Sequence, residues 1–306
     1  MHTKHLLAAA LLAFFATAAT AEAAKTLPDT LDLSVGGAPW LRTMCAPFDP
    51  ARNEETYKVY THILDFSGKA PITKGPGGKY PHHRGLYIGW KDTLIDGVDY
   101  DTWHMSNSIQ QLTAAENAPG MQTLSIDWRD REGNNLIQEK RIIRAHADGD
   151  LRVIDFNSNL SAVKSKVELK GDLQHAGMHV RMAQEVAERD EAETKAKTTS
   201  KDSTTYILPE GAQSLPDDKV TGAWWVCCSF VVEGKRYWAV HMSAPDTPGG
   251  VPVYSIRKYA RFGSFFEPTL EPQKPLSLNF RIIVSEKELD QKTCQALYDA
   301  YAKAKP

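Results

Sequence analysis

Hydrophobic and polar residues alternate along most of the chain between residues 31 and 285, and this alternation predicts β-strands. Strands are predicted at 56–66, 124–128, 136–144, 151–160, 173–183, 224–232, 236–242 and 276–284. Turns rich in Gly, Asn and Asp separate several of these strands, at 131–134, 148–150 and 233–235. Because no helical segments intervene, the pattern predicts an all-β protein with an antiparallel β-sandwich.

Two segments depart from this alternation. Residues 286–303 predict a C-terminal helix, with Ser285 and Glu288 as a capping box at its start. One face of that helix is apolar and suits packing on the sandwich, through Leu289, Leu297, Tyr298 and Tyr301. Residues 187–205 are charged, rich in Thr and without apolar periodicity, so they predict an exposed loop or insertion. The sequence therefore predicts a single sandwich domain over residues 24–306.

The first residues have the pattern of a signal peptide at 1–23. Lys4 precedes an apolar run at 6–16, and the small residues Ala21 and Ala23 suit a cleavage site. A membrane anchor is the alternative, but the run is shorter than the roughly 20 residues that a spanning helix needs. We therefore predict an exported protein, periplasmic or secreted, with no membrane insertion after cleavage.

Charge and cysteine usage exclude several classes of function. The 306 residues carry a formal net charge of −2 with scattered Lys and Arg, which predicts no binding of nucleic acid. The four cysteines contain no Cys-x-x-Cys pair, so a zinc ribbon or redox motif is not indicated. Adjacent Cys227 and Cys228 would point to opposite faces of a strand. Buried thiols and one disulfide both remain open.

The segment 173–183 is the most informative for chemistry. As a strand, it places His175, Gly177, His179 and Arg181 on one face and apolar side chains on the other. Such a polar face, with a glycine in it, indicates the floor of a groove; an ordinary solvated face is the alternative. His175 and His179 would lie about 13 Å apart along a strand and would not share one metal.

Two further segments carry candidate binding groups at loop–strand junctions. His82, His83 and Arg84 are consecutive donors that suit an anionic or hydroxyl-rich ligand, with a local hydrogen-bonded corner as the alternative. Nearby, Asp101, Trp103 and His104 combine a carboxylate and an aromatic face, as sugar sites do. Asp101 could act as a base or orient a histidine.

Two weaker polar stripes complete the candidates. Asn157 lies in an alternating polar stripe at 155–159. Arg257 and Tyr259 share a strand face with Arg261, where Arg257 could bind a carboxylate or vicinal hydroxyls. A salt-bridged edge strand is the alternative for that segment.

Several of these motifs resemble one known family. They are the Pro-His-His-Arg-Gly motif at 81–85, the His-Ala-Gly-x-His-x-Arg motif at 175–181, the Asp-Thr-Trp of 101–103 and the stretch 257–263. The family is a PmoA-like group of exported bacterial proteins, often labelled methane oxygenase PmoA or left as a domain of unknown function, and the resemblance covers residues 35–300. That label fails a physical test, since a membrane methane monooxygenase needs several spanning helices. The resemblance implies a mutarotase-like supersandwich and a role in glycan breakdown.

The leading hypothesis is an exported carbohydrate-active enzyme, an epimerase, lyase or hydrolase, that uses His and carboxylate acid–base chemistry on a small-molecule or oligosaccharide substrate. The candidate catalytic residues are His175, His179, Asp101 and His83. The candidate substrate-binding residues are His82, Arg84, Trp103, His104, Arg181, Asn157, Arg257 and Tyr259. No cofactor is predicted. The alternatives are a non-catalytic sugar-binding module, a structural envelope protein, and a divalent-metal enzyme built on His82, His83, His104 and one strand histidine.

Overall fold

The structure is a computed structural model that describes residues 27–304. The predicted signal peptide at 1–23 lies outside these residues. The strands are, in chain order, β1 (Thr30–Val35), β2 (Ala38–Met44), β3 (Tyr60–Ile63), β4 (Leu86–Trp90), β5 (Asp92–Ile95), β6 (Val98–Tyr100), β7 (Ser108–Ala118), β8 (Met121–Asp130), β9 (Asn135–Asp148), β10 (Leu151–Ala162), β11 (Val167–Lys170), β12 (Ala176–Arg181), β13 (Thr205–Ile207), β14 (Gln213–Leu215), β15 (Lys219–Thr221), β16 (Trp225–Val232), β17 (Lys235–Ser243), β18 (Val253–Arg257), β19 (Arg261–Phe265), β20 (Thr269–Leu270) and β21 (Leu276–Ser285). The helices are α1 (Asn53–Thr56), α2 (Gln184–Ala196) and α3 (Gln291–Lys303).

The strands form three antiparallel sheets. The first has nine strands in the order β1-β2-β3-β4-β12-β19-β18-β15-β14. The second has eight strands in the order β13-β16-β17-β21-β10-β9-β8-β7, and a small third sheet joins β20-β11-β5-β6. The predicted all-β antiparallel sandwich with a C-terminal helix is therefore confirmed.

The main core lies between the two large sheets. Ile88 and Met178 of the nine-stranded sheet belong to the same buried cluster as Phe156 and Ile282 of the eight-stranded sheet. The other face of the eight-stranded sheet is covered by α3, through Tyr298 and Tyr301, as the apolar pattern predicted, and by Leu289 in the segment just before the helix. The remaining face of the nine-stranded sheet carries the polar residues of β4, β12 and β19.

Two predicted segments are wrong in their detail. The predicted loop at 187–205 is helical as far as Ala196, because it is rich in strong helix formers such as Ala, Glu and Lys. Only Val186 and Ala187 of this helix are buried, which explains its missing apolar period. The C-terminal helix begins at Gln291 and not at Glu286, since Asp290 caps it by accepting from the Thr293 amide at 2.7 Å. Ser285 instead ends β21.

The four cysteines are free, buried thiols in the structure, which settles the open alternative in favour of thiols. Cys227 of β16 lies against Cys294 of α3, and the hydrogen bond between them raises the pKa of Cys227. None of the helices described within residues 27–304 is both long enough and apolar enough to cross a bilayer.

Glycines permit close approaches on the polar face of the nine-stranded sheet. A Cβ on Gly89 of β4 would lie 2.3 Å from the Thr102 carbonyl oxygen, so only glycine lets the segment 101–104 lie against this strand. A Cβ on Gly263 of β19 would lie 2.8 Å from Cγ of His179, its cross-strand partner. The two glycines therefore make room for rings and loops on this face.

Candidate functional site

Three histidines from three separate turns converge beside the polar face of the nine-stranded sheet. His82 lies in the turn before β4, His104 in the turn after β6, and His175 directly before β12. Their ring centroids are 4.4 Å apart for His82 and His104, and 4.9 Å apart for His104 and His175. One potential ligand nitrogen from each ring lies within 4.8 Å of the other two. We call this set the histidine centre.

Two of the three histidines are oriented by the same local motif, a turn with the sequence Asp-x-x-His. Asp101 accepts the backbone amide of His104 at 2.7 Å, and its second oxygen lies 2.9 Å from Nδ1 of His104. Asp172 holds Nδ1 of His175 in the same way, at 2.7 Å. A carboxylate on Nδ1 fixes the tautomer in which Nε2 carries a free lone pair, as in metal-bound histidines. Both Nε2 atoms are therefore prepared to bind a metal.

Among residues 27–304, no carboxylate contacts the ring of His82, and the electrostatic surroundings of this ring keep it neutral. Nε2 of His82 is buried and has no hydrogen-bond partner among residues 27–304. Burial, together with the neighbouring His104 and Lys58, lowers the pKa of His82 to about 2. Burial also lowers the pKa of His175, against the opposing effect of Asp172. Neutral imidazole is the form that binds a metal.

The histidine centre is open on one side. The side chain of His104 is 29 % exposed and that of His175 is 30 % exposed. Three protein ligands with an open fourth position are typical of catalytic zinc sites, whereas structural zinc sites are closed by four protein ligands. The geometry therefore fits a reactive metal centre better than a structural one.

A buried lysine ties two of the turns together. Nζ of Lys58, just before β3, donates to the carbonyl oxygens of His82 at 3.3 Å and Trp103 at 2.5 Å. The residue is only 3 % exposed, and burial lowers the pKa of its amino group well below the usual value. Lys58 thus fixes the position of His82 relative to the turn that carries His104.

Below the histidine centre, aromatic rings form a packed floor. Trp103 is fully buried, with its ring centroid 4.8 Å from that of His179 and 4.9 Å from that of Tyr87. The expected stacking of Trp103 on a sugar ring is wrong, because the 101–104 turn folds the indole onto the sheet.

His179 has no free ring nitrogen with which to act as an acid or base. Its Nε2 donates to the Ala176 carbonyl oxygen at 2.9 Å, and its Nδ1 lies 3.0 Å from Nη1 of Arg261. Burial lowers the pKa of His179 well below the usual histidine value, so the ring stays neutral. Its position makes it a support for the floor. His175 lies in the turn before the strand instead of on the strand face with His179, since the strand begins only at Ala176.

The remaining expected residues divide between the site and other places. Arg84 is buried and bonded to the carbonyl oxygens of His83 and Glu54, so it holds the backbone near the site. Tyr259 lies beside His83, with ring centroids 6.2 Å apart, and Arg181 lies over its ring. Arg257 sits at the rim, where it pairs with Asp218.

Asn157 does not belong to the site. It lies on the eight-stranded sheet and bonds to Asn279 at 2.7 Å and to Arg144 at 3.0 Å. The polar stripe of 155–159 is therefore a ladder of side-chain contacts between β10 and its neighbours, and the expected substrate-binding role of Asn157 is wrong.

Sequence reasoning missed three residues that the structure places at or beside the site, namely Lys58, Asp172 and Arg261. One signal for Asp172 is present in the sequence: the spacing Asp-x-x-His occurs at both 101–104 and 172–175. No comparable signal marks Lys58. Arg261 was noted only as a neighbour of Arg257 and Tyr259, because its contacts with Gln174 and His179 are distant in sequence.

Replacing Asp101 by asparagine tests the orienting role of this carboxylate. Asparagine keeps an oxygen for the backbone amides of the turn but places an NH2 group against Nδ1 of His104. We expect zinc affinity to fall by about 10- to 100-fold, with little change in the melting temperature of the metal-free protein. Competition with a chromophoric chelator would measure this. Asp155→Asn, which removes a carboxylate paired with Arg281 on β10, is the matched control, and equal affinities in the two variants would refute the role.

Comparisons with known proteins give a family and a distant fold likeness. A family model described as a family of unknown function (DUF6807) matches residues 30–299. No curated protein matches the chain. Among solved structures, the GH36 α-galactosidase AgaB from Geobacillus stearothermophilus is similar with a TM-score of 0.45 and 10 % identity, over 85 % of this chain and 40 % of that one. A candidate aldose 1-epimerase from Escherichia coli gives a TM-score of 0.42 and 8 % identity, over 84 % and 99 % of the two chains. The chain thus spans well under half the length of the galactosidase.

Proposed function

The chain belongs to the DUF6807 family, and we propose that it is a metal-dependent enzyme whose divalent metal is held by His82, His104 and His175. The observation that carries this proposal is the convergence of three imidazole nitrogens within 4.8 Å of one another. Two of these imidazoles are aligned by carboxylates on Nδ1. Such carboxylate–histidine pairs are characteristic of metal ligands and are not needed for a hydrogen-bonded corner.

The ligand set favours zinc or a similar transition metal. Imidazole nitrogens suit Zn, Cu, Fe and Ni, whereas Mg and Ca prefer oxygen ligands. A metal bound there would act as a Lewis acid and would lower the pKa of a bound water towards neutrality. The protein would keep His82 and His175 neutral by burial, hold the turns through Lys58, and leave the exposed side of His104 and His175 for the substrate.

We propose a carbohydrate as the substrate. The motifs at 81–85 and 175–181, which carry the resemblance to exported proteins linked to glycan breakdown, also supply two of the three histidines of the centre. The name PmoA-like and export through residues 1–23 remain predictions. The earlier assignment of direct acid–base catalysis to His175 and His179 gives way to a ligand role for the first and a supporting role for the second.

Removal and return of metal test this function directly. At a free zinc concentration 1,000 times the dissociation constant, binding stabilises a protein by about 4 kcal/mol, which for a chain of this size shifts the melting temperature by roughly 10 °C. We expect the melting temperature of the purified protein to fall by roughly 10 °C on treatment with EDTA and to return to its first value with one equivalent of zinc. Turnover of a panel of aryl glycosides and oligosaccharides should follow the same loss and recovery.

Other outcomes separate the alternatives. A melting temperature and a turnover that do not respond to EDTA would contradict the metal-dependent enzyme. Binding of a sugar with no product, in the presence of zinc, would instead favour the sugar-binding module.

A further inference from the structure

Next to the histidine centre, two buried arginines face each other across neighbouring strands. Arg181 of β12 and Arg261 of β19 are direct cross-strand partners. Arg181 is fully buried and Arg261 is 1 % exposed. Like charges directly opposite each other destabilise a sheet, and a buried charge without a counter-ion is costly. A buried pair of this kind therefore requires a compensating group.

The protein does not supply that group within residues 27–304. None of the ion pairs formed by these residues includes Arg181 or Arg261. Their contacts are to neutral groups: Arg181 donates to the Tyr259 carbonyl oxygen, and Arg261 donates to Oε1 of Gln174 at 2.6 Å. Both guanidinium groups are thus held in place while their charges stay uncompensated.

Several buried nitrogen and oxygen atoms around the pair also have no hydrogen-bond partner among the described residues. They are Nε and Nη2 of Arg181, Nε of Arg261, both ring nitrogens of His83, and the hydroxyl of Tyr87. The ring of His83 lies 6.2 Å from that of Tyr87 and 4.3 Å from that of His82. Buried polar atoms without hydrogen-bond partners are rare because each loses its hydrogen bonds to water. Their concentration beside one metal ligand indicates a binding subsite.

Other buried arginines of the fold are satisfied by the protein itself. Arg141 forms two hydrogen bonds to Glu139, at 2.8 and 2.9 Å, with both side chains fully buried. Arg152 donates to three backbone carbonyl oxygens and lies between the rings of Trp40 and Phe66. The Arg181–Arg261 pair differs from these two arginines because three of its guanidinium nitrogens, Nε and Nη2 of Arg181 and Nε of Arg261, have no hydrogen-bond partner among residues 27–304.

We propose that Arg181, Arg261 and His83 bind a carboxylate of the substrate, which makes acidic sugars such as uronic acids the substrate class. This proposal rests on the proposed function for the presence of a reactive metal next to the subsite. Guanidinium groups match the two oxygens of a carboxylate with paired N–H donors, and the negative charge offsets the repulsion between the arginines. Tyr80 packs beside the subsite, with its ring 5.1 Å from that of Tyr259 and 5.4 Å from that of His83, and the proposal requires this ring to move when the substrate enters.

The test compares zinc-loaded wild type with Arg181→Met and, as a matched control, Arg152→Met. Calorimetric titration and thermal shift would use D-glucuronate, D-galacturonate, D-glucose, sulfate, phosphate and chloride as probes. We expect the uronates to bind wild type more tightly than glucose and the inorganic anions, and Arg181→Met to weaken uronate binding by about 30-fold or more. Without ligand, Arg181→Met should melt at or above the wild-type temperature because it removes a like-charge repulsion, whereas Arg152→Met should melt lower.

Three results would overturn the proposal: equal binding of uronates and glucose, binding of inorganic anions but not of uronates, or a melting temperature of Arg181→Met as low as that of Arg152→Met. Zinc binding is measured on the same samples. Zinc bound without uronate binding would overturn this inference and leave the metal centre standing, whereas uronate bound without zinc would support the subsite and contradict the proposed metal-dependent function.

Discussion

Replacing His104 by alanine is expected to reduce the zinc affinity of the protein by about a hundred- to a thousand-fold. Zinc held by four ligands gains on the order of 10–16 kcal/mol, so one ligand accounts for roughly 3–4 kcal/mol. His82→Ala and His175→Ala should have effects of the same size, because all three rings share one centre. Metal-dependent turnover should fall to background in each variant. Zinc titration against a competing chelator measures the affinities.

His146→Ala is the matched control for these variants. His146 lies on β9 of the eight-stranded sheet and is exposed, so its removal should leave zinc affinity and turnover unchanged. If one of the three variants kept the wild-type affinity, that histidine would not be a ligand.

Loss of stability in mild acid is the second large effect that we expect. His62, His179 and His241 are at most 6 % exposed. Burial lowers the pKa of His62 to about 4 and that of His241 to about 3, and it lowers the pKa of His179 well below its usual value. In the unfolded chain these histidines titrate near pH 6.5, so below that pH the unfolded state binds at least three more protons than the folded state; His82, His83 and His175, whose pKa values are also lowered, add to this difference when no metal is bound.

Because the unfolded state binds more protons than the folded state, the free energy of unfolding decreases as the pH falls. Stability is fully present above about pH 6.5 and falls as the pH drops towards the folded-state values, by about 4 kcal/mol per pH unit for three histidines. Between pH 6.5 and 5 that loss approaches the whole stability of an ordinary domain. Urea unfolding at pH 7.5, 6 and 5 measures this loss of stability, and EDTA in the samples excludes effects of bound metal. His62→Gln should reduce the slope by the contribution of one proton, about 1.4 kcal/mol per pH unit. A free energy of unfolding that is independent of pH in this range would contradict the expectation.

The regular strands were predictable because their pattern is local. The alternation that predicted a strand at 276–284 corresponds to β21, and the apolar face of the C-terminal helix packs as expected. In contrast, α2 was missed because a helix with only two buried residues leaves no apolar period to detect. The first residue of the C-terminal helix is set by one hydrogen bond, from the Thr293 amide to Asp290. The spacing of apolar residues contains no information about such a bond.

The site was predictable in its residue types but not in their roles. His82, His104 and His175 were each singled out, yet their convergence depends on three turns that are far apart in sequence. The estimate that His175 and His179 lie too far apart to share a metal assumed that both lie on one strand, whereas the structure places His175 in the turn before β12 and His179 on β12. Arg261 was passed over as a strand residue, because its uncompensated charge becomes visible only when Arg181 lies opposite it.

The most direct test of the metal centre is X-ray absorption at the zinc K-edge of the zinc-loaded protein. A centre built on His82, His104 and His175 predicts three imidazole nitrogens at about 2.0–2.1 Å, with an additional light ligand from solvent. The multiple-scattering signature of imidazole should weaken in His104→Ala and persist in His146→Ala. A spectrum of hydrated zinc without imidazole scattering, or one dominated by sulfur at about 2.3 Å, would contradict the proposed centre.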